Sequence, residues 1–156
     1  MSGLTFSVLG VPKNWSNTGM AFRFNRNAAM AMRREYNEWK WSIALLGAVA
    51  RANAGWFVAE STDGKRIIRI HQKRRGILDE DGLMSSCKPI IDGLKRTIAD
   101  RNANTGEYQS QDGAGLIFDD SYRYCIIEKP TQERIHRNQA TMTTITIEIE
   151  DIYESS

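Results

Sequence analysis

Asp79-Glu80-Asp81-Gly82-Leu83-Met84-Ser85-Ser86-Cys87-Lys88-Pro89-Ile90-Ile91-Asp92-Gly93-Leu94 changes character around its own axis. At about 100° per residue, Asp81, Ser85, Lys88 and Asp92 fall in one narrow stripe of a helix. The other side carries Leu83, Met84, Cys87, Ile90, Ile91, Leu94 and, one turn on, Ile98. The spacing predicts a helix with an apolar back on a core and a front of two carboxylates with a lysine between them. Asp81 is a candidate N-cap, and Pro89 predicts a kink or a break into two pieces. Asp79 stands just before the helix, and Asp119-Asp120 arrive later in the chain. Two readings of this front stay open: a solvated helix face, or a metal-binding catalytic surface.

The run that leads into the helix bears on that choice. From Lys65 to Arg75 there are six Lys or Arg and no acidic residue. Lys65 to Gln72 reads as a strand returning from a hairpin, with Thr62-Asp63-Gly64 as the turn and Trp56–Ser61 as the outgoing strand. Basic residues alone suit a solvated face. Delivered beside carboxylates, they suit a substrate with phosphates. Arg69, Lys73, Arg74 and Arg75 are the candidate phosphate contacts, and net charge adds little to the argument, being only +2.

Upstream, residues 4–11 read as a first strand ended by Pro12. Lys13 to Gly19 is a turn-rich loop, and Met20 to Asn27 holds a short extended piece. A long helix is predicted from about Ala28 to about Asn53, capped by Asn25 or Asn27 and stopped by Gly55. Its buried stripe is Met32, Tyr36, Trp39, Ile43, Leu46 and Ala50, with Arg33, Arg34 and Lys40 off it. Downstream, residues 100–115 are polar and glycine-rich and read as a long flexible loop. Leu116-Ile117-Phe118 then presents Asp119-Asp120. Tyr122 to Glu128 reads as a strand, and Pro130 to Gln139 as a polar connection. The last strand is marked by Ile145, Ile147 and Ile149 alternating with Thr146 and Glu148. Residues 151–156 form a frayed acidic tail. A chain of 156 residues, 41% hydrophobic, buries one proper core, so a single domain over 1–156 is expected. The class is α/β, a small mixed sheet with helices packed on it.

Cys87 and Cys125 match no zinc spacing and read as reduced core residues. No apolar run is long enough to span a bilayer, and no signal-peptide pattern opens the chain. No membrane partner and a cytoplasmic location are expected. Asp79, Asp81, Asp92, Asp119 and Asp120 are the candidate metal ligands. Packed carboxylates repel unless protonated or neutralised by a cation. Oxygen donors without His or Cys suit Mg²⁺, with Mn²⁺ as a substitute. Such a cation points to phosphoryl transfer or phosphodiester hydrolysis, with Lys88 as a point charge beside the phosphate.

The order of motifs resembles the RusA family of Holliday junction resolvases, many of them encoded by phages and prophages. The resemblance rests on Asp79-Glu80-Asp81-Gly82-Leu83, Lys88, Asp92-Gly93-Leu94 and Gly115-Leu116-Ile117-Phe118-Asp119-Asp120-Ser121. It implies a RusA-like domain with a long N-terminal helix and a catalytic helix on a small mixed sheet. It implies a homodimeric, Mg²⁺-dependent endonuclease that nicks opposing strands of a four-way DNA junction in a bacterial host cell. Asp79, Asp81 and Asp120 would be essential acids with Asp119 beside them. Lys88 would be the catalytic lysine, and Asp92 either a ligand or a support for Lys88. Gly82 departs from the family, which usually has Asn there, and the loop before Asp119 is long. A non-catalytic branched-DNA-binding protein of the same fold, or a nuclease for other branched DNA, are the alternatives.

Overall fold

A computed structural model describes residues 3–15, 26–101 and 105–150. Strand β1 (Gly3–Leu9) is followed by helix α1 (Arg26–Asn53) and strand β2 (Arg66–Arg74). Two short helices come next, α2 (Glu80–Ser86) and α3 (Lys88–Leu94). Five strands complete the chain: β3 (Thr97–Arg101), β4 (Tyr108–Asp112), β5 (Cys125–Ile127), β6 (Thr131–Arg134) and β7 (Met142–Ile149). Residues 20–25 of the extended piece expected over 20–27, most of the loop at 13–19, the Asn25 cap and the tail at 151–156 lie outside the described residues, while Arg26 and Asn27 already belong to α1.

β7 sits between β1 and β2 and is antiparallel to both. Beyond β2 run β5 and β6, each parallel to it. They share one edge of the sheet and are separated by Glu128–Pro130. Pro130 lacks the N–H a continuous ladder needs, which fits a break there. The sheet is therefore mixed, as expected.

Its two faces differ because the side chains alternate. Ile68, Ile70, Ile145, Ile147 and Leu4 join Ile43, Cys87, Ile90, Leu94, Leu116 and Ile117 in one buried cluster. Thr5 meets Thr146, and Ser7 meets Thr144, through hydroxyl hydrogen bonds on the opposite, wet face. β2 fits both surfaces: Arg69, His71 and Lys73 alternate with the buried Ile68, Ile70 and Gln72.

The predicted catalytic helix is broken, as Pro89 requires. The break falls at Cys87, whose N–H bonds back to the carbonyls of Met84 and Ser85. This tighter turn rotates α2 relative to α3. One even stripe across both helices is consequently not formed. Ser85, expected on the polar front, is buried, and Met84, expected on the apolar back, is 45% exposed. Asp79 rather than Asp81 is the N-cap, its Oδ1 accepting the Gly82 N–H at 2.7 Å.

α1 follows the predicted stripe only in part: Ile43 lies in the core, and Trp39 and Ala50 pack against it. Its buried residues are Ala29, Lys40, Ile43, Ala44 and Gly47, while Leu46 is 40% exposed. Small residues explain the shift. A Cβ on Gly93 of α3 would lie 2.5 Å from the Lys40 carbonyl oxygen, and one on Gly47 would lie 2.7 Å from the Ala114 Cβ. Backbones approach where glycines allow it, and hydrophobic periodicity gives such positions no weight.

Three further expectations are corrected. Trp56–Ser61 forms no strand. Phe57 is 90% exposed, and Ala59 hydrogen-bonds to Gly115 rather than to a sheet partner. The segment 100–115 is not one flexible loop, because β3 and β4 pair antiparallel from Thr97↔Asp112 to Arg101↔Tyr108. The polar connection after Pro130 contains β6.

Both cysteines are free, and each is 2% exposed. Burial above all pushes both thiols up to about 11. Only the thiolate attacks a disulfide reagent. At pH 8 the native protein should leave an aromatic disulfide reagent almost unreacted, then release two equivalents at once on addition of denaturant. Rapid reaction of the native protein would contradict this packing of Cys87 and Cys125.

Candidate active site

The end of α3 and the segment after β4 meet at Lys95. The chain leaves α3 here, and Lys95 bridges to Ile117 in parallel. The amide N–H of Leu116 donates to the Leu94 carbonyl at 3.0 Å. These bonds bring Asp119 and Asp120, which follow Phe118, back beside Asp92. The Lys95 ammonium then lies 3.2 Å from Asp92 Oδ1 and 3.3 Å from Asp120 Oδ2. Burial lowers the charge preference of Lys95, but Asp92 and Asp120 outweigh it, and the group is held above its ordinary range.

Asp92 has a second partner. Tyr36 of α1 donates its hydroxyl to Asp92 Oδ2 at 2.5 Å. Burial first, then this bond and the charge of Asp92, push the Tyr36 phenol well up. Tyr36 therefore stays a donor throughout the neutral range. Asp92, Asp119, Lys95 and the buried Lys40 line one cleft of about 290 Å³, together with Thr97, Ile98 and Ala99 of β3. Asp119 and Asp120 also act on the Cys125 thiol beneath them.

The other expected residues lie around this centre or away from it. Lys88 is exposed and lines a neighbouring cleft of about 370 Å³ with Trp15, Met32, Arg33, Tyr36 and Asn37. Tyr36 is thus common to the Lys88 cleft and to the Asp92 carboxylate. Asp79 is engaged as the α2 cap, and Asp81 is exposed in the first turn of that helix. Among the described residues, no hydrogen bond or ion pair ties either of them to Asp92 or Asp120. A side chain at Gly82 would strike the Asn14 amide, whose Nδ2 lies 2.8 Å from an ideal Cβ there. The Asn14 amide thus occupies the space next to the Asp79 cap.

The proposed DNA-contacting residues divide. Arg69 is ion-paired with Glu128 at 2.8 Å and Glu148 at 2.6 Å. Those carboxylates hold its guanidinium above the ordinary range. Arg69 and the exposed Lys73 belong to the wet face of the sheet, away from the helices that carry Asp92. Arg75 donates to the Gln139 carbonyl at 2.7 Å. Arg74 is a correction. It is 7% exposed, bonded to Gln72 Oε1 and to the Pro12 carbonyl, and burial lowers its pKa. It fastens the loop after β1 to β2 and has no surface to offer a phosphate.

Among the described residues, no three His, Cys, Asp or Glu side chains come together as a group able to hold a metal. Two carboxylates do converge, from elements 28 positions apart in the chain, and an ammonium neutralises them. Lys95 was absent from the sequence reading, which placed Tyr36 only in the buried stripe of the long helix. Lys95 was within reach of it, since it follows Asp92 by three residues and i,i+3 side chains are neighbours at a helix end. Nothing in the sequence joined Tyr36 to Asp92. No helix among the described residues is long and apolar enough to cross a membrane. No protein-family model, curated protein or solved structure matches the chain.

Proposed function

We propose that this chain is a RusA-like, divalent-cation-dependent endonuclease that cuts four-way DNA junctions as a homodimer. The observation that carries the reading is the Lys95 ammonium held between Asp92 and Asp120. Two carboxylates are brought to one point, and that point already favours positive charge.

The donor set fits Mg²⁺, with Mn²⁺ as a substitute. The cleft offers carboxylate oxygens and no sulfur or imidazole. Mg²⁺ is commonly held by one or two carboxylates, with waters and phosphate oxygens filling the remaining positions. Asp92 and Asp120 are the residues that would hold it, with Asp119 in the same cleft and with Asp79 and Asp81 as the motif resemblance implies. When bound, the cation supplies an activated water and charge stabilisation for phosphodiester hydrolysis.

The chain's own groups do the rest. Tyr36 holds Asp92 in one orientation by donating to Oδ2. Lys95 keeps the two carboxylates together and offsets their repulsion. Lys88, which lines the neighbouring cleft with Tyr36, would offer its exposed ammonium to a phosphate beside the site. A two-fold dimer would present two such clefts, the symmetry of a junction cut in opposing strands.

One feature favours a second reading. An ion bridge already neutralised by Lys95 serves equally well as a structural clasp in a protein that binds branched DNA without cutting it. The two readings separate on a synthetic four-way junction and a linear duplex of the same sequence. With Mg²⁺, the wild type should cut the junction and spare the duplex, and Asp81→Asn should bind the junction without cutting it. Binding with no cleavage at any Mg²⁺ or Mn²⁺ concentration would establish the second reading. Full activity in Asp81→Asn would remove Asp81 from the site.

A further inference from the structure

The β3–β4 hairpin stands on the rim of the cleft lined by Asp92, Lys95 and Asp119. The chain departs at Arg96 and returns at Gly113, whose N–H donates to the Arg96 carbonyl at 3.0 Å. Below this, Ala114 bonds to Gly93 and Leu116 to Leu94. The neck is so narrow that a Cβ on Gly113 would fall 1.9 Å from the Lys95 carbonyl oxygen. β3 and β4 are therefore carried on a closed stem, beside the lysine that bridges the carboxylates.

Beyond the stem, the described hairpin side chains are mostly exposed. Ile98 is buried, at 4% exposure, and anchors the base. Thr97, Ala99, Gln109, Ser110, Gln111 and Asp112 are exposed. Five paired residues per strand at roughly 3.4 Å each make a post about 17 Å long. Its base supplies Thr97, Ile98 and Ala99 to the wall of the cleft. Its sequence from Thr97 to Asp112 holds three acidic residues, Asp100, Glu107 and Asp112, against one basic residue, Arg101.

A post with that charge is poorly suited to grip a phosphate backbone. It is well suited to keep one out. Duplex DNA is stiff over about 150 base pairs, so a straight duplex crossing the cleft must bend around the post or be held off it. Each phosphate brought near also meets net negative charge. At a branch point the strands diverge, and a post can stand between them. Resting on the nuclease reading of this same cleft, we propose that the β3–β4 hairpin sets substrate class by excluding unbranched duplex from the cleft lined by Asp92 and Asp119.

The test is a trimmed chain in which residues 100–109 are replaced by Asn-Gly, joining the paired Ala99 and Ser110 through a tight turn. Ile98 and the neck are retained. A second variant, Asp100→Asn with Glu107→Gln and Asp112→Asn, keeps the whole hairpin and removes its negative charge. Affinities for a linear duplex and a four-way junction are measured in EDTA, and cleavage of both with Mg²⁺.

The trimmed chain should bind linear duplex at least about tenfold tighter than the wild type, the low end of the cost of bending a short duplex. Its junction affinity should be unchanged, and it should gain cleavage of linear duplex. The charge-neutral variant should gain duplex affinity chiefly at low salt. Equal duplex affinity in all three proteins would overturn the proposal whatever the cleavage results. If no protein cuts any DNA, the nuclease reading fails, while the EDTA affinities still decide whether the hairpin excludes duplex. If none binds DNA, both ideas fall.

Discussion

Asp120→Asn should lower Mg²⁺-dependent junction cleavage by about two to three powers of ten, the usual cost of removing one charge-stabilising group from a site. Stability should barely change. Asp120 is 45% exposed and its ion pair with Lys95 is 3.3 Å long, and exposed pairs contribute about 0–1 kcal/mol. The substitution keeps the shape of the side chain and removes its charge. Lys95 then has only Asp92 to neutralise, and a divalent cation loses one of its two converging anionic donors. Single-turnover cleavage and a urea melt on the same preparation supply both numbers. A large loss of stability would make Asp120 a structural clasp, and wild-type cleavage would remove it from the chemistry.

Gly93→Ala should destabilise the protein by roughly 1–3 kcal/mol, the range for overpacking a filled core. Two effects oppose each other. Alanine in place of glycine favours a helix by about 1 kcal/mol. The new methyl, however, meets the Lys40 carbonyl oxygen at 2.5 Å and the Ile43 Cβ at 2.8 Å. Neither is the free end of a side chain, so neither can swing aside. The crossing of α1 and α3 has to open, and the steric cost wins. The melting temperature should fall by about 2–4 °C per kcal/mol for a chain of this size. The same crossing sets Tyr36 of α1 against Asp92 of α3, so cleavage should fall as well. A rise in melting temperature would show that α1 and α3 are less closely packed than this.

How much of this was legible in the sequence depends on what held each part in place. α1, β1, β2 and β7 announce themselves by periodic burial, because each has one face on the core and one in water. Pro89 announces the break between α2 and α3. The β3–β4 hairpin does not, because among its described side chains only Ile98 is buried and the sequence around it carries no alternation. β6, Thr-Gln-Glu-Arg, is silent for the same reason: it pairs through backbone at the sheet edge. Trp56-Phe57-Val58 misleads in the opposite sense, an apolar run with no partner strand to receive it.

The site was legible in kind and less so in arrangement. Carboxylates were read from residue type, but the lysine between Asp92 and Asp120 is Lys95 rather than Lys88, and the basic run leading into the helix does not line the cleft. The motif resemblance moved weight from Asp92 towards Asp79, Asp81 and Asp120. In the folded chain Asp92 is the residue with the most partners, held by Tyr36 and joined through Lys95 to Asp120. Those links span α1, α3 and the segment after β4, and depend on close approaches that Gly93 allows between α1 and α3 and Gly47 allows between α1 and the segment after β4. Arg74 looked like its basic neighbours, and only its place on the inward side of β2 distinguishes it.

The position of β7 has a kinetic consequence. β1 and β2 do not touch each other as sheet partners; each pairs with β7. Gly3 faces Glu148, and Leu9 faces Met142. Of the sheet's strands, the one that joins the rest is made last. At about 5–20 residues per second, β1 waits on the order of ten seconds for its only neighbour during synthesis. Throughout that interval α1 and the α2–α3 pair have no completed sheet to cover. Contacts of such long sequence separation also slow refolding of the finished chain. The protein is thus most exposed to misassociation before its final strand emerges, and a truncation that removes β7 would leave β1 and β2 with nothing between them.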